Sequence, residues 1–101
     1  MQFKGRPRGT FRDDARWNSS ALAVEFTLDV TDDEGTRSVL CRVSQEALAD
    51  ISRRRGLDGA AALQCYRAHR DRVHDKIDTK LKLGGFEADG SIVIRSADLD
   101  G

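Results

Sequence analysis

Two runs of alternating apolar and polar residues constrain this chain more than any other feature. From Ala21 to Val30 the sequence reads ALAVEFTLDV, and every second residue from Leu22 onward is apolar. Thr36–Val43 alternates in the same way, and the polar segment Thr31–Gly35 separates the two runs. A period of two puts the apolar side chains on one face of a strand, and a glycine turn lets two such strands pair. The sequence therefore predicts a β-hairpin with one buried face.

Two helices are predicted after the hairpin. Ser44 can cap the segment SQEALADISRRR, and Gly56 can end it. Asp58 can cap a second, longer helix over residues 60–83, AAALQCYRAHRDRVHDKIDTKLKL, which two glycines then end. Apolar residues three and four positions apart form one stripe on this long helix: Leu63, Tyr66, Val73, Ile77 and Leu81. This stripe is predicted to pack on the sheet.

The closing segment completes the predicted fold. Ser91–Arg95 reads as a third strand after the turn Ala88–Gly90. The order β-β-α-α-β predicts an α+β single domain, a small antiparallel sheet with two helices packed on one face. Residues 17–101 form this domain, and residues 1–16 form a basic N-terminal arm that is either flexible or an edge strand. The apolar anchors of the N-terminal region are Phe3, Phe11 and Trp17.

Composition limits the class of protein. A chain of 101 residues forms one domain with a thin core, and 39% hydrophobic residues is too many for a disordered chain. Its apolar runs are far shorter than the ~20 residues that a membrane helix needs, and its N-terminus lacks the apolar core of a secretory signal. The two cysteines lack a CxxC spacing and make no disulfide framework. We therefore expect a reduced cytoplasmic protein that does not enter a membrane.

Three segments together resemble a known family. They are the hairpin end CRVSQEAL, the helix YRAHRDRVHDKI and the closing DGSIVIRSADL. In their order and spacing they are similar to the small bacterial family called domain of unknown function 1488, over about residues 17–100. The resemblance implies a single α+β domain in the bacterial cytosol, and it implies no activity, cofactor or substrate. The basic arm is longer than is usual in that family.

The sequence contains few residues in a spacing that is typical of a catalytic or metal-binding site. Cys65 and His69 are four residues apart on the long helix and could share a metal with Cys41. His74 lies about 140° further round the helix than His69 and cannot join them. A cysteine in mid-helix also lacks the helix N-terminus that usually activates a thiol. We therefore interpret both cysteines as buried small apolar residues, and we predict no catalytic residue, metal or cofactor and no enzymatic activity.

Arg70 interrupts the apolar stripe of the long helix. It lies in the row from Leu63 to Ile77, where a guanidinium has to be paired, stacked or exposed. In one interpretation Arg70 is a buried partner of a carboxylate, stacked near Tyr66 or Trp17, that fixes the helix on the sheet. In the other, its stem packs at the margin of the stripe and its head reaches water.

Nucleic-acid binding is the alternative function. Arginine alternates with aromatic residues in the N-terminal arm, a composition suited to phosphate contacts and base stacking. The candidate contacts are Arg6, Arg8, Arg12, Arg53, Arg54 and Arg55. Against this interpretation, 17 basic residues are balanced by 17 acidic ones, whereas nucleic-acid-binding modules are usually basic.

A non-enzymatic protein-interaction module is the function that we favour. A small sheet has exposed strand edges that can pair with another chain, and the mixed charge patches can orient a partner. Leu40 and Val93 point away from the apolar faces of their strands, so another chain could cover the outer face of the sheet. The partner is either an unknown protein or a second copy of the chain, as in a homodimer.

Overall fold

A computed structural model describes residues 5–99 of the chain. Within that range one sheet of five strands packs against a layer of helices. The elements are β1 (Arg8–Phe11), β2 (Arg16–Asn18), β3 (Ala23–Asp32), β4 (Gly35–Ser44), α1 (Gln45–Ser52), α2 (Gly59–Ala68), α3 (Arg70–Leu83), β5 (Ile92–Ile94) and α4 (Ser96–Leu99). The prediction of a single α+β domain is confirmed. No helix within residues 5–99 is long and apolar enough to cross a membrane.

Strands β3 and β4 form the predicted hairpin. Their register pairs Val24 with Val43 and Phe26 with Cys41, and all four residues are buried. The alternation of the sequence therefore becomes one apolar face, which the helices cover. The turn closes at Gly35, whose φ of 133° lies in a region that favours glycine.

The sheet is mixed, and the prediction of an antiparallel sheet is wrong in this respect. The strand order is β1-β3-β4-β5. Strand β2 also pairs with β3, at residues 23–25, whereas β1 pairs with residues 28–31. The pairs of β3 are antiparallel, but β5 runs parallel to β4, with Cys41 opposite Ile92 and Val43 opposite Ile94. Three helices carry the chain from β4 to β5, and such a crossover can return a strand in the parallel direction. Local alternation predicts a strand but not its direction.

The N-terminal arm forms two short edge strands in the described part of the chain. β1 and β2 pair with successive parts of β3, and they place Phe11 opposite Leu28 and Trp17 opposite Val24. Both aromatic side chains are half-buried and pack on the core beneath the helices. The third predicted anchor, Phe3, lies outside the described residues. The second strand, β2, was not expected from the sequence.

The predicted long helix over residues 60–83 is wrong, because the chain leaves the helical conformation at His69. This residue has φ −115° and ψ 20°, and it separates α2 from α3. Helix α2 packs against β2 and β3, near one edge of the sheet. Helix α3 packs against β5, at the opposite edge. The break lets the two helices follow different lines across the sheet. Tyr66 and Val73 are seven residues apart, a spacing that keeps both on the buried side of a continuous helix. The apolar spacing therefore does not reveal the break at His69.

The ends of the helices confirm two predictions and correct two. Asp58 occupies the N-cap position of α2, but its side chain makes no capping hydrogen bond. The Ala47 N–H donates to Ser44 Oγ at 3.1 Å, which is the expected cap of α1, and Gly84 ends α3 in the left-handed conformation. Helix α1, however, ends at Ser52 rather than at Gly56. Arg53 takes the left-handed conformation itself, with φ 57°. The three arginines at 53–55 therefore lie beyond the helix.

Gly9 provides a test of the packing between β1 and the core. A Cβ atom at this position would lie 2.7 Å from Leu28 Cδ1, and Leu28 is too deeply buried to move aside. We expect Gly9→Ala to lower the free energy of unfolding by about 1–3 kcal/mol, as overpacking of a core usually does. Urea denaturation measures the change. Thr10→Ala on the exposed face is the control, with an expected change within about 0.5 kcal/mol. An unchanged urea midpoint in Gly9→Ala would show that β1 does not pack on Leu28.

Candidate functional site

Strand β1 presents unpaired backbone groups at one edge of the sheet. The Arg12 N–H donates to the Thr27 carbonyl oxygen at 2.9 Å. In an antiparallel pair the direction of these groups alternates, so residues 8, 10 and 12 direct their N–H and C=O groups toward β3. Gly9 and Phe11 therefore direct theirs away from the sheet. An edge of this kind is a template for another strand.

Cationic side chains flank this open edge. Arg6 and Arg8 line a hollow of about 600 Å³ together with Lys82. The Lys82 ammonium is bound to Asp78 at 2.8 Å, whereas no ion pair joins Arg6 or Arg8 to a carboxylate in the part of the chain from residue 5 to residue 99. Asp33 lies against Gly5 and adds one acidic group nearby. Two unpaired guanidinium groups thus face one carboxylate at the start of β1.

The opposite edge, at β5, is blocked by side chains. Lys80 Nζ donates to the Val93 carbonyl oxygen at 2.7 Å and binds Asp98 Oδ2 at 2.9 Å. The same carboxylate oxygen accepts the Arg95 N–H at 2.8 Å. Lys80 reaches this edge from α3, and covering an edge with a helix is one way in which proteins prevent pairing with another chain. Among the described residues, side chains thus cover the β5 edge, whereas none is seen to bind the outward backbone groups of β1.

An aromatic cluster joins β1 to the helices, and it consists of Phe11, Phe26, Tyr66 and His74. The Phe11 and His74 rings are stacked, with centroids 3.6 Å apart and an angle of 5° between the planes. The Tyr66 ring stacks on Phe26 with centroids 4.8 Å apart. A hydrogen bond of 2.6 Å joins Tyr66 Oη to His74 Nε2. These contacts attach the edge strand to both α2 and α3.

Burial keeps both polar members of the aromatic cluster neutral. It lowers the pKa of His74 to about 4, and the positive charge of Arg70 lowers this pKa further, against the opposing effect of Asp71. Burial also raises the pKa of Tyr66 well above its usual range. The hydrogen bond between the two side chains therefore joins an uncharged phenol to an uncharged imidazole at pH 7.

A hollow of about 210 Å³, here called the arginine pocket, lies beside the aromatic cluster. Its walls come from the connection between β1 and β2 and from the junction of α2 and α3. The lining residues are Phe11, Arg12, Asp13, Ala15, Tyr66, Arg67, Arg70 and His74. Arg12 is bound to Asp29 through Nε and Nη2, at 2.7 and 2.8 Å. Arg67 and Arg70 are exposed and form no ion pair with a carboxylate of residues 5–99.

The structure separates the three residues that the sequence grouped as an interaction site. Tyr66 is buried and Trp17 is half-buried, but Arg70 is exposed. The interpretation of Arg70 as a buried partner of a carboxylate is therefore wrong, and its head reaches water as the other interpretation requires. Arg70 lies in the arginine pocket with Tyr66, and Trp17 does not line that pocket.

Cys65 and His69 line a separate hollow of about 420 Å³, with Arg53 and Arg54 at its edge. The Cys65 thiol donates to the Leu48 carbonyl oxygen at 3.5 Å, and no hydrogen bond joins it to His69 among the described contacts. Cys41 is buried between the sheet and the helices, and burial raises the pKa of its thiol to about 12. Both cysteines are free. Within residues 5–99 no three His, Cys, Asp or Glu side chains come close enough to hold a metal ion.

The candidate nucleic-acid contacts are distributed over several surface features. Arg6 and Arg8 lie at the open edge, and Arg12 is bound to Asp29. Arg53 and Arg54 border the hollow at Cys65, and Arg55 lines another shallow hollow beside Gly56 and Ser96. Arg6 and Arg8 thus line a different hollow from Arg53 and Arg54, and Arg55 lines a third.

The outer face of the sheet carries a row of paired charges across β2, β3 and β4. Arg42 Nε donates to Glu25 Oε2 at 2.6 Å, and Arg16 lies 3.9 Å from the other oxygen of Glu25. Glu25 is only 6% exposed. Burial acts to raise its pKa, but hydrogen bonds from Arg42 and Asn18 outweigh burial and leave the pKa below its usual value. Leu40 and Val93 are half-buried beside these charges, so this face has no wide apolar patch for another chain.

A family model described as a protein of unknown function, DUF1488, matches residues 10–94. The chain belongs to the DUF1488 family. Its fold is similar to the crystal structure of a DUF1488 protein of unknown function from Shewanella loihica PV-4, with a TM-score of 0.74 and 17% sequence identity. The similarity covers 85% of this chain and 90% of that chain, and it supports the fold. No curated protein matches the chain.

Several residues of the candidate site in this DUF1488 chain were not found from the sequence. The pair of Lys80 with Asp98 spans 18 positions, and the sequence does not predict it. The pair of Tyr66 with His74 is eight positions apart, and the helix break at His69 changes the angle between the two residues. The stacking of Phe11 on His74 depends on the register of β1 with β3. No local spacing predicts any of these contacts.

His74 gives the fold a pH dependence that can be measured. The unfolded chain takes up a proton on His74 near pH 6.5, whereas the folded chain keeps the imidazole neutral down to about pH 4. The contribution of His74 to the free energy of unfolding is therefore fully present above pH 6.5, and it is lost as the pH falls toward 4. We expect the free energy of unfolding to fall by about 1 kcal/mol between pH 7.5 and pH 5, after allowance for solvent screening. Urea titrations at several pH values measure it.

Two variants isolate the contribution of His74 to this pH dependence. His74→Gln should be less stable than the wild type at pH 7.5 but should lose less stability on acidification. His69→Gln is the matched control and should keep the wild-type slope. Equal slopes for the wild type and His74→Gln would contradict the assignment.

Proposed function

We propose that this domain is a non-enzymatic interaction module of the bacterial cytosol that binds an extended, acidic segment of a partner protein. The segment adds to the sheet as a sixth strand beside β1. The observation that carries the proposal is the difference between the two edges of the sheet. Gly9 and Phe11 present free backbone groups at one edge, and Lys80 and Asp98 occupy the other.

The backbone of β1 supplies the binding energy, and the side chains around it supply the specificity. In strand addition the main-chain hydrogen bonds give affinity, and alternate side chains of the added strand meet the two faces of the sheet. On the outer face these side chains would meet Arg8 and Thr10, and on the helix side they would meet Phe11. A segment that alternates acidic and apolar residues fits both faces.

Charge favours a partner segment over a second copy of this chain. Two β1 strands paired around a two-fold axis at Thr10 would bring Arg8 of one copy opposite Arg12 of the other. Like charges directly opposite each other destabilise a strand pair. Arg8 has no ion pair within residues 5–99 that would offset this repulsion, and Arg12 is bound to Asp29. An acidic segment would neutralise the same groups.

The reduced state of both cysteines supports the cytosolic part of the proposal. Cys41 and Cys65 are free and buried, as is usual for a protein of a reducing compartment. Cell fractionation of the native bacterium, with an antibody against the domain, tests this part. Recovery in the periplasmic fraction would contradict it.

Amide hydrogen exchange tests strand addition directly. The probe is a capped hexapeptide of alternating Glu and Val, and the readout is the exchange rate of each β1 amide by NMR. In the free protein the Gly9 and Phe11 amides should exchange fast and the Thr10 and Arg12 amides slowly. Saturating peptide should slow Gly9 and Phe11 by about tenfold or more, because both amides become hydrogen-bonded in the added ladder.

Charge-reversal variants test the specificity. Arg6→Glu/Arg8→Glu should weaken peptide binding by about tenfold, since two cationic contacts become repulsive. Arg54→Glu/Arg55→Glu makes the same change in net charge away from β1 and should leave the affinity within about twofold of the wild type. Equal weakening by both variants, or equal binding of a Lys–Val hexapeptide, would overturn the proposal.

Two further outcomes would replace the proposal with another function. A single-stranded RNA oligonucleotide that binds more tightly than the peptide, with a steep loss of affinity in salt, would favour the nucleic-acid alternative. A dimer at micromolar concentration in sedimentation, with slow exchange at Gly9 and Phe11, would favour self-association through β1.

A further inference from the structure

The arginine pocket has an unbalanced charge. Arg67 and Arg70 are exposed on its wall, and neither is ion-paired with a carboxylate of the described chain. Arg12 contributes little net charge, because it is bound to Asp29 in a two-pronged ion pair. Asp13 supplies one negative charge among the lining residues. Two free cations and one anion give the lining residues one net positive charge, which a monoanion would balance. Asp71 acts on His74 but does not line the pocket.

The remaining walls are neutral and partly apolar. Phe11 and Ala15 line the side that comes from the β1–β2 connection. Tyr66 and His74 bind each other through a hydrogen bond of 2.6 Å, and neither is charged at pH 7. Among the residues that line the pocket, only Arg67 and Arg70 are cations without an ion pair in the described chain. The charge of a monoanion is therefore compensated more fully there than the charge of a dianion. The apolar side chains favour a ligand with a hydrocarbon body.

The size of the pocket limits the ligand further. Its volume of about 210 Å³ is below the ~300–1,000 Å³ that is usual for sites of drug-sized molecules. A nucleotide or a large cofactor would extend well beyond this space. A small organic acid does, and a planar carboxylate matches the fork of a guanidinium group.

We propose that the arginine pocket binds a small organic monocarboxylate. Arg67 and Arg70 hold the carboxylate, and Phe11 and Ala15 contact the apolar body of the ligand. This binding site adjoins the β1 edge and shares Phe11 with it, but its two binding cations belong to α2 and α3. The domain would then combine a surface for a protein segment with a pocket for a metabolite-sized acid.

An NMR titration with sodium benzoate tests this proposal on the intact chain. Benzoate should shift the Nε–Hε resonances of Arg67 and Arg70 and the ring resonances of His74, with millimolar affinity. Benzyl alcohol has nearly the same shape without the charge, and it should bind at least about tenfold more weakly because it cannot form charge-assisted hydrogen bonds. Inorganic phosphate should bind more weakly than benzoate.

Matched double variants assign the binding to the two arginines. Arg67→Gln/Arg70→Gln should weaken benzoate binding by about tenfold or more. Arg55→Gln/Lys76→Gln removes the same charge outside the pocket and should leave the affinity within about twofold of the wild type. All four residues lie on the surface or near it, and circular dichroism checks that each variant folds. Arg6→Glu/Arg8→Glu should leave benzoate binding unchanged, which keeps this test independent of the edge proposal.

Four results would overturn the proposal. They are the absence of benzoate-induced shifts, equal binding of benzyl alcohol, equal weakening by the two double-glutamine variants, and tighter binding of phosphate than of benzoate. The last result would show an inorganic-anion site instead of a carboxylate site.

Discussion

The pairing of β3 with β4 is the constraint on which the rest of the structure depends. Its register puts seven buried apolar side chains on one face: Val24, Phe26, Leu28, Val30, Val39, Cys41 and Val43. That face has to be covered by other parts of the chain. Helices α1–α3 cover most of it, and Phe11 and Trp17 cover the margin at β1 and β2. The opposite face carries paired charges such as Glu25 with Arg42. The hairpin therefore decides where the helices, the edge strands and the ion pairs lie.

The aromatic cluster connects the hairpin and the helices to the edge strand β1. Phe26 belongs to the hairpin, Tyr66 and His74 belong to the helices, and Phe11 belongs to the edge strand. Their stacking places β1 against the helix layer. This arrangement requires an uncharged imidazole, because a buried imidazolium beside Arg70 would lack a compensating anion in the cluster. The same contacts that hold β1 also form one wall of the arginine pocket.

The two edges of the sheet show how the same fold can protect one surface and expose another. At β5 a lysine and an aspartate satisfy the outward backbone groups of Val93 and Arg95. At β1 the backbone is open, and only the charge of Arg6 and Arg8 restricts what can pair with it. Under the proposed function, such an edge would discourage copies of the same cationic strand and would accept an acidic one. Arg6 and Arg8 therefore support the proposed function more directly than the ion-paired arginines do.

Local sequence patterns predict the hairpin, the cap at Ser44 and the glycine that ends α3, because each depends on residues only a few positions apart. The break at His69, the parallel direction of β5 and the early end of α1 at Arg53 were not predicted. The candidate site was predicted least well: Tyr66 was selected for its neighbour Arg70, and its actual partner, His74, was interpreted as an exposed residue. These features join segments that are distant in the chain, so they depend on how the helices cross the sheet. Periodicity determines which side of an element is buried, and long-range packing determines which residues meet there.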